Sequence, residues 1–351
     1  MLKRVEINRF RCLHRADVHF DPVFNLIVGP NGSGKTSLLE ALFFLGRGRS
    51  FRSRRLEKLI QSGEKDFTLF AEVIEGPLST SLGVGVSADG VDIRIQGQKA
   101  DTSAQLSYHL APHIIDPEVH KLLEEGPNRR RRFMDFGVFH VEQSFLALWY
   151  RYHRALKQRN AFLKTADTAE SAFDGELSLS GDQLHEFRHR YLERLRPVLN
   201  EIGQHFLNAP VSLHYQSGFG TEEPLAEALK RSQARDLRFK TTHVGPHRAD
   251  ISLKVDGVAA RERVSRGQQK LLAAALTLSQ LKLIEADTPG RSVLLLDDPA
   301  AELDANSLSK LMNAAQTLQV QMFVTALQPF TLAGSVGKLF HVERGDIQAA
   351  L

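Results

Sequence analysis

Eight consecutive residues, Gly29-Pro30-Asn31-Gly32-Ser33-Gly34-Lys35-Thr36, fit the phosphate-binding pattern G-x-x-x-x-G-K-[ST] in full. In such a loop the glycines let backbone N–H groups turn inward around phosphate oxygens. A helix that starts there adds the positive end of its dipole. Lys35 is expected to reach the β- and γ-phosphates, and the Thr36 hydroxyl to ligate Mg2+. The other half of such a site is an apolar strand ending in acid. Val293-Leu294-Leu295-Leu296-Asp297-Asp298 has that form. Asp297 is expected to hold Mg2+ through water, and Asp298 to orient or deprotonate the attacking water. The expected cofactors are ATP and Mg2+, and Lys35, Asp297 and Asp298 are the candidate catalytic residues.

About three quarters of the chain separates Lys35 from Asp297. A small GTPase or a kinase-like NTPase places these two halves much closer. Shortly before the second half stands Ser265-Arg266-Gly267-Gln268-Gln269-Lys270, opening a long helical stretch. Ser265, Gly267 and Gln268 would present a second helix N-terminus to phosphate. Taken alone, the same string is an ordinary serine N-cap.

The elements that must position these groups follow from periodicity. Val5 and Ile7, then Val18 and Phe20, alternate with polar residues, and Phe24–Val28 is nearly all apolar, so the chain opens with strands. Ser37–Leu45 is expected to be a helix. Thr68–Ile74, Thr80–Val86 and Val91–Ile95 read as antiparallel strands, with Asp89-Gly90 as a hairpin turn. Helical spacing then runs from about Arg129 to Lys164 and over Asp182–Leu207, with Pro197 expected to kink or divide the second stretch. Thr165–Gly181 is poor in large apolar residues and reads as the connection at the tip of a helical hairpin. The last third returns to alternation: strands at Ile251–Val255, Val293–Leu296 and Met322–Thr325, helices at Gly267–Glu285 and Ser307–Leu318, and an edge strand at Phe340–Glu343. The expected division is a head of residues 1–116 plus 206–351, interrupted by a helical arm of residues 117–205.

The chain has 351 residues, 42% of them hydrophobic, and a formal net charge of +4. This balance permits an anionic partner without requiring one. The lone Cys12 excludes an intramolecular disulfide framework and a four-cysteine zinc site. A reducing cytosol is the expected compartment. The start MLKRVEINRF lacks an apolar signal region, and no stretch is apolar enough to suggest a membrane span. Positive charge concentrates after the first helix in Arg47, Arg49, Arg52, Arg54, Arg55 and Lys58, with Glu57 the single acid among them. Such density suits contacts to a DNA backbone, although a charge run is ordinarily a solvated loop. Arg47 and Arg49 have the nucleotide as an alternative target. Arg129–Arg132 is a second basic run, with Glu124, Glu125 and Asp135 as candidate partners. His243 and His247 read as hydrogen-bonded turn residues rather than metal ligands.

In this order and spacing, the phosphate loop, the Ser265 string and the Asp297 strand resemble the ATPase heads of the ABC/SMC superfamily. Further strings resemble the RecF family: Gly245-Pro246-His247-Arg248-Ala249-Asp250, Asp116-Pro117-Glu118, Gly126-Pro127-Asn128-Arg129-Arg130-Arg131-Arg132-Phe133-Met134-Asp135, and Ile7-Asn8-Arg9-Phe10-Arg11. The resemblance covers nearly the whole chain and is weakest in residues 166–181. It implies an α/β fold of the P-loop type, an ABC-type ATPase head with an inserted helical arm. It implies that Ser265 of one subunit meets the γ-phosphate held by another, so that ATP joins two heads. It implies weak, DNA-stimulated ATP hydrolysis that acts as a dimerisation switch. It also implies binding of gapped DNA or single-strand/double-strand junctions, help in loading RecA with RecO and RecR, and parts in the SOS response and replication.

Within that pattern Arg11 would reach ATP, and Asp304 of Pro299-Ala300-Ala301-Glu302-Leu303-Asp304 would cross toward the partner's site. Two positions depart from the common superfamily form. Asp298 stands where many members carry Glu, and Val324-Thr325-Ala326 has no His, which leaves Thr325 and Gln328 as candidate phosphate sensors. The arms are too short for an SMC protein, and no nuclease-type acidic cluster is present. A different SMC-like DNA-associated ATPase and a binding module with an inactive site remain the alternatives.

Overall fold

The computed structural model of the protein describes residues 1–166, 168, 171–220, 223–330 and 337–350. The chain divides into two compact units, Met1–Val119 with Ile284–Leu351, and His120–Leu283.

The first unit has two sheets. An antiparallel sheet runs β2-β1-β4-β5-β6-β7, from β1 (Leu2–Phe10), β2 (Leu13–His19), β4 (Phe67–Glu75), β5 (Leu78–Ser87), β6 (Gly90–Ile95) and β7 (Gln98–Lys99). Its strands alternate, burying Val5, Ile7, Leu69, Ala71, Val73, Leu82, Val84 and Val86 on one face. The second sheet runs β15-β14-β3-β13-β12-β8, from β3 (Phe24–Val28), β8 (Ala111–Ile115), β12 (Ser292–Leu296), β13 (Gln321–Ala326), β14 (Lys338–Glu343) and β15 (Asp346–Ala349). All of its pairings are parallel except that of β15 with β14. β3, β12 and β13 are buried along their whole length, as expected of strands covered on both faces.

The helix Lys35–Arg47 packs against strands of both sheets. One apolar cluster joins its Leu38, Leu42 and Phe44 to Ile7 and Phe67 of the antiparallel sheet and to Leu295 and Phe323 of the parallel one. The helix is thus buried almost all round, which is why its residues read as a continuous apolar run. Phe340–Glu343 does not lie at the sheet edge: Gly345, at φ 87°, turns the chain back so that β15 pairs with β14.

The second unit contains the helices Pro127–Val141, Phe145–Thr165, Asp174–Leu207 and Leu225–Phe239, and most of Arg266–Asp287. A small sheet, β11-β10-β9, adds β9 (Val211–Gln216), β10 (Asp250–Val255) and β11 (Val258–Ala259). The unit is larger than the arm expected at residues 117–205. Residues 206–283, expected in the head, belong to it because β9 and the Leu225–Phe239 helix pack on the long helix Asp174–Leu207. At Gly203 the approach is so close that a Cβ would stand 2.7 Å from Val211.

Two local expectations also change. The long helix begins at Asp174, inside the segment read as a loop; positions 167, 169 and 170 of that segment lie outside the described residues. Its small residues serve close packing: a Cβ on Gly181 would meet Leu225 at 2.3 Å and Tyr152 at 3.1 Å. The Ser180 hydroxyl is satisfied by the Glu176 carbonyl one turn back, at 2.6 Å. Pro197 lies inside this helix without dividing it, flanked by the fully buried Leu195 and Leu199.

Candidate nucleotide site

The phosphate loop leaves β3 at Val28 and enters the helix at Lys35. Gly32 and Gly34 adopt φ 78° and 120°, values that L side chains rarely reach. A Cβ on Gly34 would also stand 3.0 Å from Leu13 and 3.2 Å from the Cys12 sulfur. The β14–β15 turn closes the loop from the other side, where the Gly345 N–H donates to the Ser33 carbonyl at 2.8 Å. A Cβ on Gly29 would fall 2.1 Å from the Val342 carbonyl oxygen.

Lys35 folds over this loop. Its Nζ donates to the carbonyls of Gly29, at 2.7 Å, and Pro30, at 2.9 Å. Burial lowers its ammonium pKa, opposed by the charges of Asp298 and Asp297. The Ser33 hydroxyl is buried and has no hydrogen-bond partner. An orphaned donor in a loop that tolerates no Cβ at Gly29 or Gly34 fits an anion bound against the loop.

β12 delivers Asp297 to the same place. The Thr36 hydroxyl donates to its carboxylate, at 2.9 and 3.0 Å from the two oxygens. From the neighbouring strand, the Thr325 hydroxyl donates to Asp297 Oδ1 at 2.9 Å and accepts the Asp298 N–H at 2.8 Å. Burial raises the Asp297 carboxyl above the ordinary range, opposed by the hydrogen bonds from Thr325 and Thr36 and by the Arg52 charge. A hydroxyl and a carboxylate in direct contact make a hard oxygen donor set of the kind that suits Mg2+. Asp298 adopts φ 46°, a left-handed backbone that an aspartate tolerates better than most residues, and stands at the start of the short helix Pro299–Glu302.

The structure therefore brings Gly29–Thr36, Asp297, Asp298 and Thr325 together. Thr325 was a candidate phosphate sensor, but its hydroxyl is already engaged by Asp297 and Asp298. Gln328 is exposed. Asp304 caps the helix Ala305–Thr317, accepting from the N–H groups of Asn306 and Ser307, each at 3.0 Å.

Ser265, Gly267 and Gln268 belong to the second unit and are exposed at the start of Arg266–Asp287. Ser265 and Gln268 form a reciprocal cap: the Ser265 N–H donates to the Gln268 side chain at 3.0 Å, and the Gln268 N–H to Ser265 Oγ at 3.4 Å.

The basic segment divides. Arg47 does not present its charge to solvent: its guanidinium lies 5.4 Å from the Phe43 ring centroid. Desolvation drives its pKa well below the arginine range. Its charge adds to the burial that pushes His113 down to about 3. Arg49, Arg52, Arg54, Arg55 and Lys58 are exposed. In the second run, Arg130 is buried in a bidentate pair with Asp250, at 2.7 and 2.8 Å, and Arg131 donates to the Ala249 carbonyl at 2.7 Å. His247 is hydrogen-bonded to the Tyr152 hydroxyl at 2.7 Å, and His243 to Asp236 at 3.0 Å.

Glu40, to which the sequence alone assigns no role, receives a bidentate pair from Arg11 at 2.9 and 2.8 Å. The signal was present: Glu40 is the one charged residue in the apolar run Leu38–Leu45.

The family profile described as RecF/RecN/SMC N terminal domain matches residues 1–346. The DNA replication and repair protein RecF of Pseudomonas aeruginosa (strain LESB58) is 38% identical, with 99% of this chain and 97% of that protein covered. The chain belongs to the RecF family. The RecF of Pseudomonas syringae pv. tomato is 40% identical over the same share of each chain. A solved structure described as the recombination mediator protein RecF-ATP in the RecFOR pathway superposes with a TM-score of 0.88 at 28% identity, covering 100% of this chain and 97% of that one. An SMC head bound to part of ScpA, at 18% identity and a TM-score of 0.60, shares the fold. The head is thus of the ABC/SMC ATPase type. No helix among the described residues is long and apolar enough to cross a membrane.

Proposed function

We propose that this chain is a cytosolic ATPase of recombinational DNA repair and replication, in which ATP joins two copies on DNA. The observation that carries the reading is the Thr36–Asp297 contact beside the Lys35 loop, an oxygen donor set adjoining a phosphate cradle. ATP is held by the backbone of Gly29–Gly34 and by Lys35, which leaves its two carbonyl partners to meet the β- and γ-phosphates. Thr36 and Asp297 are the residues that would hold Mg2+, which when bound would neutralise charge at the phosphates. Asp298 orients the attacking water and accepts its proton. Thr325 fixes the carboxylate of Asp297 and the backbone of Asp298 at once.

Ser265, Gly267 and Gln268 of one copy complete the site held by the other, offering helix N–H groups to the γ-phosphate. Only the joined state presents both halves, so ATP shifts the population toward it and hydrolysis, weak and stimulated by DNA, releases it. Arg49, Arg52, Arg54, Arg55 and Lys58 contact the DNA backbone. The family name and the RecFOR description of the superposed RecF support a role in DNA repair with RecO and RecR as partners. Gapped or junction DNA as the substrate and RecA loading as the task are the further reading that the family resemblance suggests.

The test combines ATP turnover with solution mass. Wild type is expected to hydrolyse ATP and to shift from monomer to dimer with ATP, and Lys35→Ala to do neither. A protein that stays monomeric in saturating ATP while turning it over contradicts the shared site.

A further inference from the structure

Glu40 has no part in the chemistry just described, yet its side chain is fully buried, at 0% exposure, and gathers three partners. Arg11 donates to both carboxylate oxygens, at 2.9 and 2.8 Å. The remaining arm of Arg11 donates to the Lys58 carbonyl at 2.8 Å, and its backbone N–H to the Leu59 carbonyl at 2.7 Å. Ser50 Oγ donates to Glu40 and itself accepts the N–H groups of Arg52 and Ser53, both at 2.9 Å. The Arg52 guanidinium lies 3.6 Å from the same carboxylate.

One buried carboxylate therefore fastens the basic segment near both ends, at residues 50–53 and, through Arg11, at residues 58–59. Glu40 stands one helical turn after Thr36, on the same face of the helix that opens the nucleotide site. Arg11 alone suffices to neutralise it. Arg52 is surplus, about half exposed, and held only across a long ion pair. A polyanion competes readily for such a cation, whereas the bidentate Arg11–Glu40 pair, its carboxylate fully buried and its guanidinium largely so, resists separation.

We propose that Glu40 is a positioning residue that fastens the segment 49–58 to the nucleotide helix, so that DNA drawing on Arg52 is felt one turn away at Thr36. The inference rests on the proposed DNA-stimulated ATPase and adds the route by which the two are coupled.

The test uses the full chain with Ser50→Ala and Glu40→Gln. Limited trypsin digestion reads the tether, because Arg52, Arg54, Arg55 and Lys58 are all cleavage sites. ATP turnover with and without a gapped duplex reads the coupling as a stimulation ratio. A variant that is merely less stable loses both rates together and keeps the ratio. Releasing a charge-assisted hydrogen bond is expected to raise cleavage within the segment about tenfold in Ser50→Ala. The stimulation ratio should fall toward one, with basal turnover retained. Glu40→Gln should do the same more strongly. If that variant fails to fold, Ser50→Ala carries the test, since its hydroxyl is the smaller loss. Unchanged cleavage in the folded variants overturns the tether. Raised cleavage with an unchanged ratio overturns the coupling. A wild-type ratio of one refutes the DNA-stimulated ATPase itself, and the cleavage pattern still decides the tether.

Discussion

Thr325→Val is the substitution that isolates the scaffolding of the proposed catalytic carboxylates, Asp297 and Asp298, from their chemistry. Valine matches threonine in shape, so packing is preserved. What goes is one hydroxyl that donates to Asp297 at 2.9 Å and accepts from the Asp298 backbone at 2.8 Å. Thr325 is fully buried, so water cannot replace it. A buried group left without its partner costs about 1–3 kcal/mol, and two groups are affected here. If about 2–4 kcal/mol of that appears as misplacement of the two carboxylates in the transition state, kcat falls roughly 30- to 1,000-fold. ATP affinity should change little, because Lys35 and the loop backbone are untouched. The assay pairs steady-state turnover with equilibrium binding of a fluorescent ATP analogue. Thr325→Ser, which keeps the hydroxyl, should recover most of the rate. Turnover at the wild-type level in Thr325→Val would show that the Thr325 hydroxyl does not hold the two carboxylates in place for hydrolysis. So would equal damage from Val and Ser, which would point to the methyl group instead.

Three further outcomes are expected. Asp250→Ala leaves the buried Arg130 without its bidentate partner and should destabilise the second unit by about 3–5 kcal/mol. Trp149, the lone tryptophan, lies in that unit and reports its unfolding in urea. His113 and His247 are held neutral, at about 3 and about 4, chiefly by burial. Both lie below the ordinary histidine value, so the unfolded chain binds more protons as pH falls through 6.5. Stability should therefore drop between pH 6.5 and 4, by up to about 1.4 kcal/mol per pH unit for each histidine, and thermal melts at pH 7.5 and 5 check this. A melting temperature that rises toward pH 5 would show that these histidines are not buried neutral. Arg47→Ala should not weaken DNA binding through lost charge, because its guanidinium packs over Phe43; Arg55→Ala should weaken it in a salt-dependent way, as titrations at two ionic strengths will show.

The parts legible in the sequence were those fixed by local geometry. A phosphate loop needs its glycines at set positions, and the Asp297 strand needs a continuous apolar run, so both could be placed from the residues alone. The strands of the antiparallel sheet announced themselves by alternation. What escaped reading was set by tertiary contacts. The helix around Ser178, Ser180 and Gly181 looked like a loop because Tyr152 and Leu225 cross it closely and only small residues fit. Residues 206–283 looked like part of the head because they return to β periodicity, whereas β9 packs on the helix before it. Arg47 looked like a surface cation because a charge run hides which member turns inward. Glu40 was visible as an anomaly in an apolar helix, but its partners Arg11, Ser50 and Arg52 come from two other segments and no periodicity connects them.

The central claim is that ATP, held at Lys35 and Asp297, gates binding to DNA. Fluorescence anisotropy of a labelled gapped duplex, titrated with protein in ATP and then in ADP, tests it most directly. Binding should be much tighter in ATP than in ADP, and the difference should vanish in Lys35→Ala. Equal affinity in the two nucleotides would contradict the claim.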